Sequence, residues 1–208
     1  MKLYAYWRSS ASWRVRIGLN LKGLAYEVVP VALLPGEQRG PAHTRRKPMR
    51  QVPVLEVDGR FLSQSMAILD YLDRREPEPP LFPSDPWLRA RALQMAEVVN
   101  SGIQPLQNLP VREEVRALGD DLAWCRRFVA RGLLALEAMA APGDSFLVGD
   151  APTVADVCLV PQLAGARRFG VDLSCFPTLL AVESRCAVLP EFRAARPDAQ
   201  PDAPAGAA

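Results

Sequence analysis

Five prolines, Pro77, Pro79, Pro80, Pro83 and Pro86, fall within a single stretch of ten positions. No helix or strand tolerates that density, because each ring fixes φ, removes a backbone donor and restricts the residue before it. The stretch reads as a stiff linker, and it divides the chain of 208 residues into parts that are each long enough to fold. The expected division is a first domain over 1–82, a second over 87–195, and a Pro/Ala-rich tail over 196–208 that is expected to be disordered.

Before the linker, strand and helix signals alternate. Lys2–Trp7 reads as a strand, and Trp13, Ile17, Leu21 and Leu24 then recur at helical spacing until Gly23 stops the helix. Tyr26–Val31 reads as a second strand, followed by an irregular loop dense in Gly, Pro and Arg from Pro35 to Met49. Val54–Val57 and Arg60–Leu62 flank Asp58-Gly59, a strong hairpin signal, and a helix opens at Ser65. Beyond the linker the signals are helical, over Trp87–Asn100, Ile103–Val115, Leu122–Met139, Thr153–Phe169 and near Pro177–Cys186. The fold class implied is a small α/β domain followed by an all-α domain.

Composition excludes little but is consistent. Apolar residues make up 49% and charged residues 23%, and the net charge of +2 argues neither for nor against nucleic acid. No apolar run approaches the roughly 18 residues of a membrane span. The N-terminus reads as a strand rather than a signal segment, so a cytoplasmic location with no membrane or nucleic-acid partner is expected. Cys125, Cys158, Cys175 and Cys186 are too widely spaced for C-x-x-C pairs, and with His43 the only histidine no metal site is expected.

Four places could carry chemistry. Arg8-Ser9-Ser10-Ala11-Ser12 lies between the first strand and first helix, where unpaired N–H groups and the helix dipole favour an anion. A serine there either donates to such an anion or, as Ser10 or Ser12, merely caps the helix. Val52-Pro53 opens a strand; a cis bond would turn the Val52 backbone toward a ligand, although only about 5% of X–Pro bonds are cis. Gln64-Ser65 precedes a helix, with Ser65 an N-cap by type and its N–H groups a carboxylate site or a plain cap. Thr153-Val154-Ala155-Asp156 has capping-box spacing and reads as a folding element. Arg167-Arg168 at a helix end reads as a solvated pair, His43 as a surface residue, and Trp13 and Trp124 as packing.

Taken together these motifs resemble the zeta-class glutathione transferases. Ser9-Ser10-Ala11-Ser12-Trp13-Arg14-Val15-Arg16-Ile17 is similar to that class's signature, and the similarity continues through Pro48–Leu55, Gln64–Ile68, Gly102–Leu109, Thr153–Gln162 and Arg167–Leu173. The resemblance implies a thioredoxin-like domain binding glutathione as cofactor and a helical domain shaping the pocket for a small dicarboxylate. It implies glutathione-dependent cis–trans isomerisation of maleylacetoacetate in aromatic amino-acid catabolism, or else of maleylpyruvate, or transfer to small α-halo acids; a non-catalytic binding protein is the alternative of another class. By resemblance, Ser9 or Ser10 activates the thiol with Arg8 nearby. Val52 and the cis Pro53, Gln64, Ser65 and Gln38 contact glutathione, and Gln104 and Asn108 line the site, Gln104 reaching toward the neighbouring subunit of a homodimer. Arg8 and Arg168 are the carboxylate clamps that the resemblance implies, together expected to span the interdomain cleft. Two departures stand out: Ala11 replaces the usual cysteine, and Arg45-Arg46-Lys47 replaces an Ala-Leu-Asn run.

Overall fold

A computed structural model describes residues 1–33, 36–141 and 143–206. In chain order the elements are β1 (Lys2–Ala5), α1 (Ser10–Leu21), β2 (Glu27–Pro30), a 3-10 turn (Glu37–Arg39), α2 (Pro41–Arg46), β3 (Val54–Val57), β4 (Arg60–Ser63) and α3 (Ser65–Arg75). They continue with α4 (Pro86–Glu97), a π-helical turn (Val98–Ile103), α5 (Gln104–Gln107), α6 (Leu109–Leu118), α7 (Asp121–Met139), α8 (Val154–Arg168), α9 (Pro177–Ala187) and α10 (Pro190–Ala194), before a last 3-10 turn at Pro197–Ala199. The loop expected from Pro35 to Met49 thus contains α2; Pro35 itself lies outside the described residues.

The described residues form two compact units, one drawn from 1–79 and 189–206, the other from 80–188. In the first, the sheet order is β2-β1-β3-β4. β1 and β2 run parallel, which requires the crossover that α1 supplies, while β1–β3 and β3–β4 are antiparallel. The β3–β4 hairpin turns on Asp58 and Gly59 at φ 50° and 73°, the two left-handed positions of a type I′ turn. Leu3, Ala5, Leu55 and Val57 share one face by the period of two, and pack with Val15 and Leu19 of α1 and Ile68 and Leu72 of α3, each pair one helical turn apart. Tyr4 and Val54 face the other way, with Val31 and Val52.

The second unit is helical. In α7, Cys125, Val129, Leu133 and Leu136 are fully buried at helical spacing. All of α8 from Val154 to Leu163 is buried, Asp156 and Gln162 included, so this helix is central to the unit. Gly132 permits a close approach, because a Cβ there would stand 2.3 Å from Ile103 Cδ1 and Cγ1. Among the described residues no helix is long and apolar enough to cross a membrane, and no group of His, Cys, Asp or Glu could hold a metal ion.

The C-terminal part departs from expectation at two points: residues 189–195 fall outside the helical unit expected over 87–195, and the tail expected to be disordered from 196 carries hydrogen bonds of its own. Residues 189–206 belong to the first unit, where Phe192 and Ala195 are buried and the Gln200 amide donates to the carbonyls of Arg196 and Ala194 at 2.8 and 3.1 Å. Composition alone hid these contacts; Ala207 and Ala208, also included in that expectation, lie outside the described residues.

Candidate active site

Strand registers gather four segments at one end of the sheet. Ala5 lies beside Pro30, Tyr4 beside Val54 and Val54 beside Ser63. The C-terminal ends of β1, β2 and β4 and the N-terminal end of β3 therefore coincide. From that end depart Trp7–Ser9 after β1, Val52-Pro53 before β3, Gln64-Ser65 after β4, and the segment after β2 that leads to Gln38. The N-termini of α1 and α3 start there too, so two sets of unpaired N–H groups and two positive dipole ends meet.

Ser9, not Ser10 or Ser12, is the N-cap of α1. Its backbone is extended at φ −69° and ψ 117°, and its Oγ accepts from the Ser12 N–H at 3.2 Å. That bond uses a lone pair, so the hydroxyl proton remains for a second partner. Ser10 and Ser12 both lie within the helix, as its first and third residues, which is why neither occupies the cap position. Arg8 is exposed, its guanidinium 5.5 Å from the Trp7 ring centroid.

The Val52-Pro53 bond is cis, as is Glu78-Pro79, which no sequence feature signalled. At α3 the cap position belongs to Gln64 rather than Ser65, which is the first helical residue, and no side chain caps the helix. Gln64 holds φ 73° and ψ 115°, a region that costs a non-glycine residue roughly 1–3 kcal/mol and that concentrates at functional sites. Its amide lies 3.7 Å from Met49 Sδ. Ser65 is buried, and its Oγ accepts from Arg14 Nη1 at 3.4 Å. Gln38, in the 3-10 turn, is buried with an Oε1 that finds no hydrogen-bond partner among the described residues.

His43 is not a surface residue. It is 4% exposed, because α2 forms where the sequence reads as loop and turns the ring inward. Its Nε2 lies 2.8 Å from the Gln51 carbonyl oxygen, which can only accept, so Nε2 carries the proton. The departing run Arg45-Arg46-Lys47 has three fates. Arg45 is exposed, Arg46 sits 4.4 Å from the Tyr4 ring centroid, and Lys47 is 3% exposed, with burial pushing its amine down to about 8. A lowered lysine pKa means the folded state releases its proton before the unfolded state does. Stability should therefore rise with pH between about 8 and the ordinary lysine range near 10.4. Denaturant titrations of wild type and Lys47→Met across pH 7–11 should show this rise only in the wild type; parallel curves would place the titrating group elsewhere.

In the helical unit, Gln104 is buried and follows the π-helical turn, a distortion frequent at functional sites. Asn108 occupies the cap position of α6 without a side-chain bond. Gln107 and Gln162, which the sequence did not single out, exchange amide hydrogen bonds at 3.1 Å in both directions and tie α5 to α8. Both arginines of the pair are exposed; Arg167 is bound bidentately by Glu183, one contact at 2.6 Å, and the Arg168 guanidinium lies 5.3 Å from the Phe169 ring. Arg168 Nη2, Gln107 Nε2 and Gln162 Nε2 each lie 4.0 Å from where a Cβ of Gly165 would stand, so the guanidinium and that amide pair border the same glycine.

A thioredoxin-like sheet with two helix N-termini at one end, joined to an all-α unit, defines the two-domain architecture of cytosolic glutathione transferases. The glutathione S-transferase N-terminal domain matches residues 1–74, and the C-terminal domain of that family matches residues 113–199. Maleylacetoacetate isomerase from Rhizobium meliloti is 47% identical, with 94% of this chain and 95% of that protein aligned. The crystal structure of maleylacetoacetate isomerase from Anaeromyxobacter dehalogenans, with bound dicarboxyethyl glutathione and citrate in the active site, is 55% identical at a TM-score of 0.90, covering 99% of this chain and 94% of that one. A bacterial maleyl pyruvate isomerase of the zeta class superposes at a TM-score of 0.95 with 40% identity, covering 98% of this chain and all of that one. The chain belongs to the glutathione S-transferase family, in its zeta class alongside the maleylacetoacetate isomerases.

Proposed function

We propose that this chain is a glutathione-dependent cis–trans isomerase of maleylacetoacetate. The observation that carries the reading is Ser9, a helix cap whose hydroxyl keeps a proton to donate, at a sheet end where two helix N-termini converge. The residues fit glutathione. The uncapped start of α3, with Gln64 held in a strained conformation, suits the α-carboxylate of its γ-glutamyl end. The Val52 backbone suits the cysteinyl peptide, and the unpartnered Gln38 Oε1 can accept an N–H near the glycyl end.

Bound glutathione supplies a thiolate that adds to the cis double bond, lets the resulting single bond rotate, and is expelled to leave the trans product. Ser9 donates to the sulfur and, with the α1 dipole, holds it ionised at neutral pH, where a free thiol of pKa about 8.5 is mostly protonated. Ser10, at the first helical position, is the secondary donor. Arg8 and Arg168 bind the substrate carboxylates through charge-assisted hydrogen bonds. Gln104 and Asn108 line the pocket, with Gln104 directed to the neighbouring subunit's glutathione in a cytoplasmic homodimer. The adduct in the Anaeromyxobacter enzyme supports this chemistry, since dicarboxyethyl glutathione carries sulfur on a saturated dicarboxylate carbon.

A second reading, isomerisation of maleylpyruvate, is favoured by the 0.95 superposition on a maleyl pyruvate isomerase. Purified protein should isomerise maleylacetoacetate only when glutathione is present. Faster turnover of maleylpyruvate would select the second reading, and no turnover of either would reduce the chain to a binding protein. Arg168→Lys should weaken the specificity constant for the dicarboxylate about tenfold, since lysine cannot reproduce the guanidinium fork. Conjugation of glutathione to an uncharged aromatic electrophile should survive that change; a parallel loss would show Arg168 supporting the fold instead.

A further inference from the structure

The backbone of Trp7, the residue before Arg8, is held at both its N–H and its carbonyl by side chains from other parts of the chain, one of them 195 positions away. The Trp7 N–H donates to Asp202 Oδ2 at 2.9 Å, and the Trp7 carbonyl accepts from Arg16 Nη2 at 2.9 Å. Trp7 and Arg8 are the central residues of the turn that the Ser9 N–H closes onto the Tyr6 carbonyl at 3.0 Å. Fixing Trp7 therefore fixes the direction in which the chain reaches Arg8 and the Ser9 cap.

Both holding groups are themselves held. Arg16 is fully buried, and its Nε donates to the Ala195 carbonyl at 2.9 Å, so one guanidinium ties the β1–α1 turn to the end of α10. Asn20, one turn further along α1, donates to the Glu191 carbonyl at 2.9 Å. The Gln200 amide, bonded to two carbonyls, folds the segment between Ala194 and Asp202 back on itself. Among the described residues the Arg16 guanidinium has no carboxylate within ion-pair distance, which makes it costly to bury, and burial lowers its pKa to about 10. Its retention here is intelligible if the two carbonyls it grips must be held apart at a fixed distance.

We propose that Asp202 is a positioning residue for the active-site turn, acting with Arg16 through the Trp7 backbone, and that the C-terminal segment is in this sense part of the active site. The proposal rests on the reading of Ser9 as thiolate donor. No substrate or glutathione contact is assigned to Asp202 itself.

The test uses the full chain with Asp202→Ala and Asp202→Asn, because Asn keeps an acceptor for the Trp7 N–H while Ala does not. Three readouts are needed: amide exchange in the Tyr6–Ser9 segment, the pH titration of bound glutathione from its thiolate absorbance, and the melting temperature. Losing a bond to a charged acceptor should raise exchange in that segment about tenfold or more for Ala. The thiol titration should move to higher pH in the same variant, and Asn should restore most of both. Unchanged exchange at Tyr6–Ser9 in Asp202→Ala would overturn the proposal. So would a drop in melting temperature, shared by Ala and Asn, with the thiol titration unmoved. Ser9→Ala serves as the control that separates the two ideas. Should Ser9→Ala leave the thiol titration in place, the Ser9 reading fails. Segment exchange and the Michaelis constant for the dicarboxylate, which depends on Arg8, then decide the role of Asp202: both raised sustains it, and either unchanged refutes it.

Discussion

Replacing Ser9 by alanine is expected to lower turnover about 100-fold, the scale on which a well-placed donor to an anion contributes to catalysis. Ser9 serves two ends in this structure, because its Oγ also caps α1 by accepting from the Ser12 N–H. The alanine variant should therefore also lose about 1 kcal/mol of stability, as helix caps generally do. The two losses separate by substitution. Aspartate at position 9 keeps the cap but replaces the donor by a negative charge beside the sulfur, so stability should recover while turnover should not. Threonine keeps both groups and should restore most of both. Ser10→Ala, at a residue that is not the cap, should cost much less than Ser9→Ala. Turnover that follows stability across this series would mean that Ser9 acts only by holding the helix. A crippled Ser10→Ala with a nearly silent Ser9→Ala would reverse the assignment of the two serines.

Much of the fold was legible because its signals are local. The proline run marks the break between α3 and α4, Asp58-Gly59 marks the hairpin, and the Thr153–Asp156 spacing marks the start of α8, with both reciprocal bonds of the capping box present. The site was legible mainly through resemblance, and the residues explain why. Three serines within four positions are chemically equivalent candidates for the cap, and only the backbone, extended at Ser9 and helical from Ser10, decides among them. The strain at Gln64 has no signature in composition, since glutamine is not a residue chosen for positive φ. His43 was misread because polar neighbours suggest a loop, whereas a six-residue helix turns one of them inward. The tail was misread for a related reason. Alanine and proline carry little pattern, and the bonds that order the segment join residues 179 and 195 positions apart, beyond the reach of any local rule.

Asp156→Ala is expected to destabilise the helical unit by roughly 3–5 kcal/mol, a large part of the 5–15 kcal/mol typical of a whole domain. The carboxylate is fully buried and accepts from the Leu147 N–H at 2.9 Å, the Thr153 N–H at 2.8 Å and the Thr153 hydroxyl at 3.0 Å. Alanine leaves those three donors without the acceptor, each a buried polar group costing about 1–3 kcal/mol, partly relieved where water can enter. The Leu147 bond reaches outside the helix, so the change should also release the segment leading into α8. Burial pushes the Asp156 carboxyl up to about 6 even though these hydrogen bonds pull it down. With an unfolded-state value near 3.9, the folded state keeps the proton longer, so the stability that this group adds is greatest below about pH 4 and declines as pH rises toward 6. Equilibrium unfolding at pH 5 and pH 7.5 should accordingly show the larger alanine penalty at pH 5. A penalty that grew with pH would mean that the hydrogen bonds outweigh burial at this carboxylate. A penalty below about 1 kcal/mol at both values would mean that the capping box shapes the start of α8 without stabilising it.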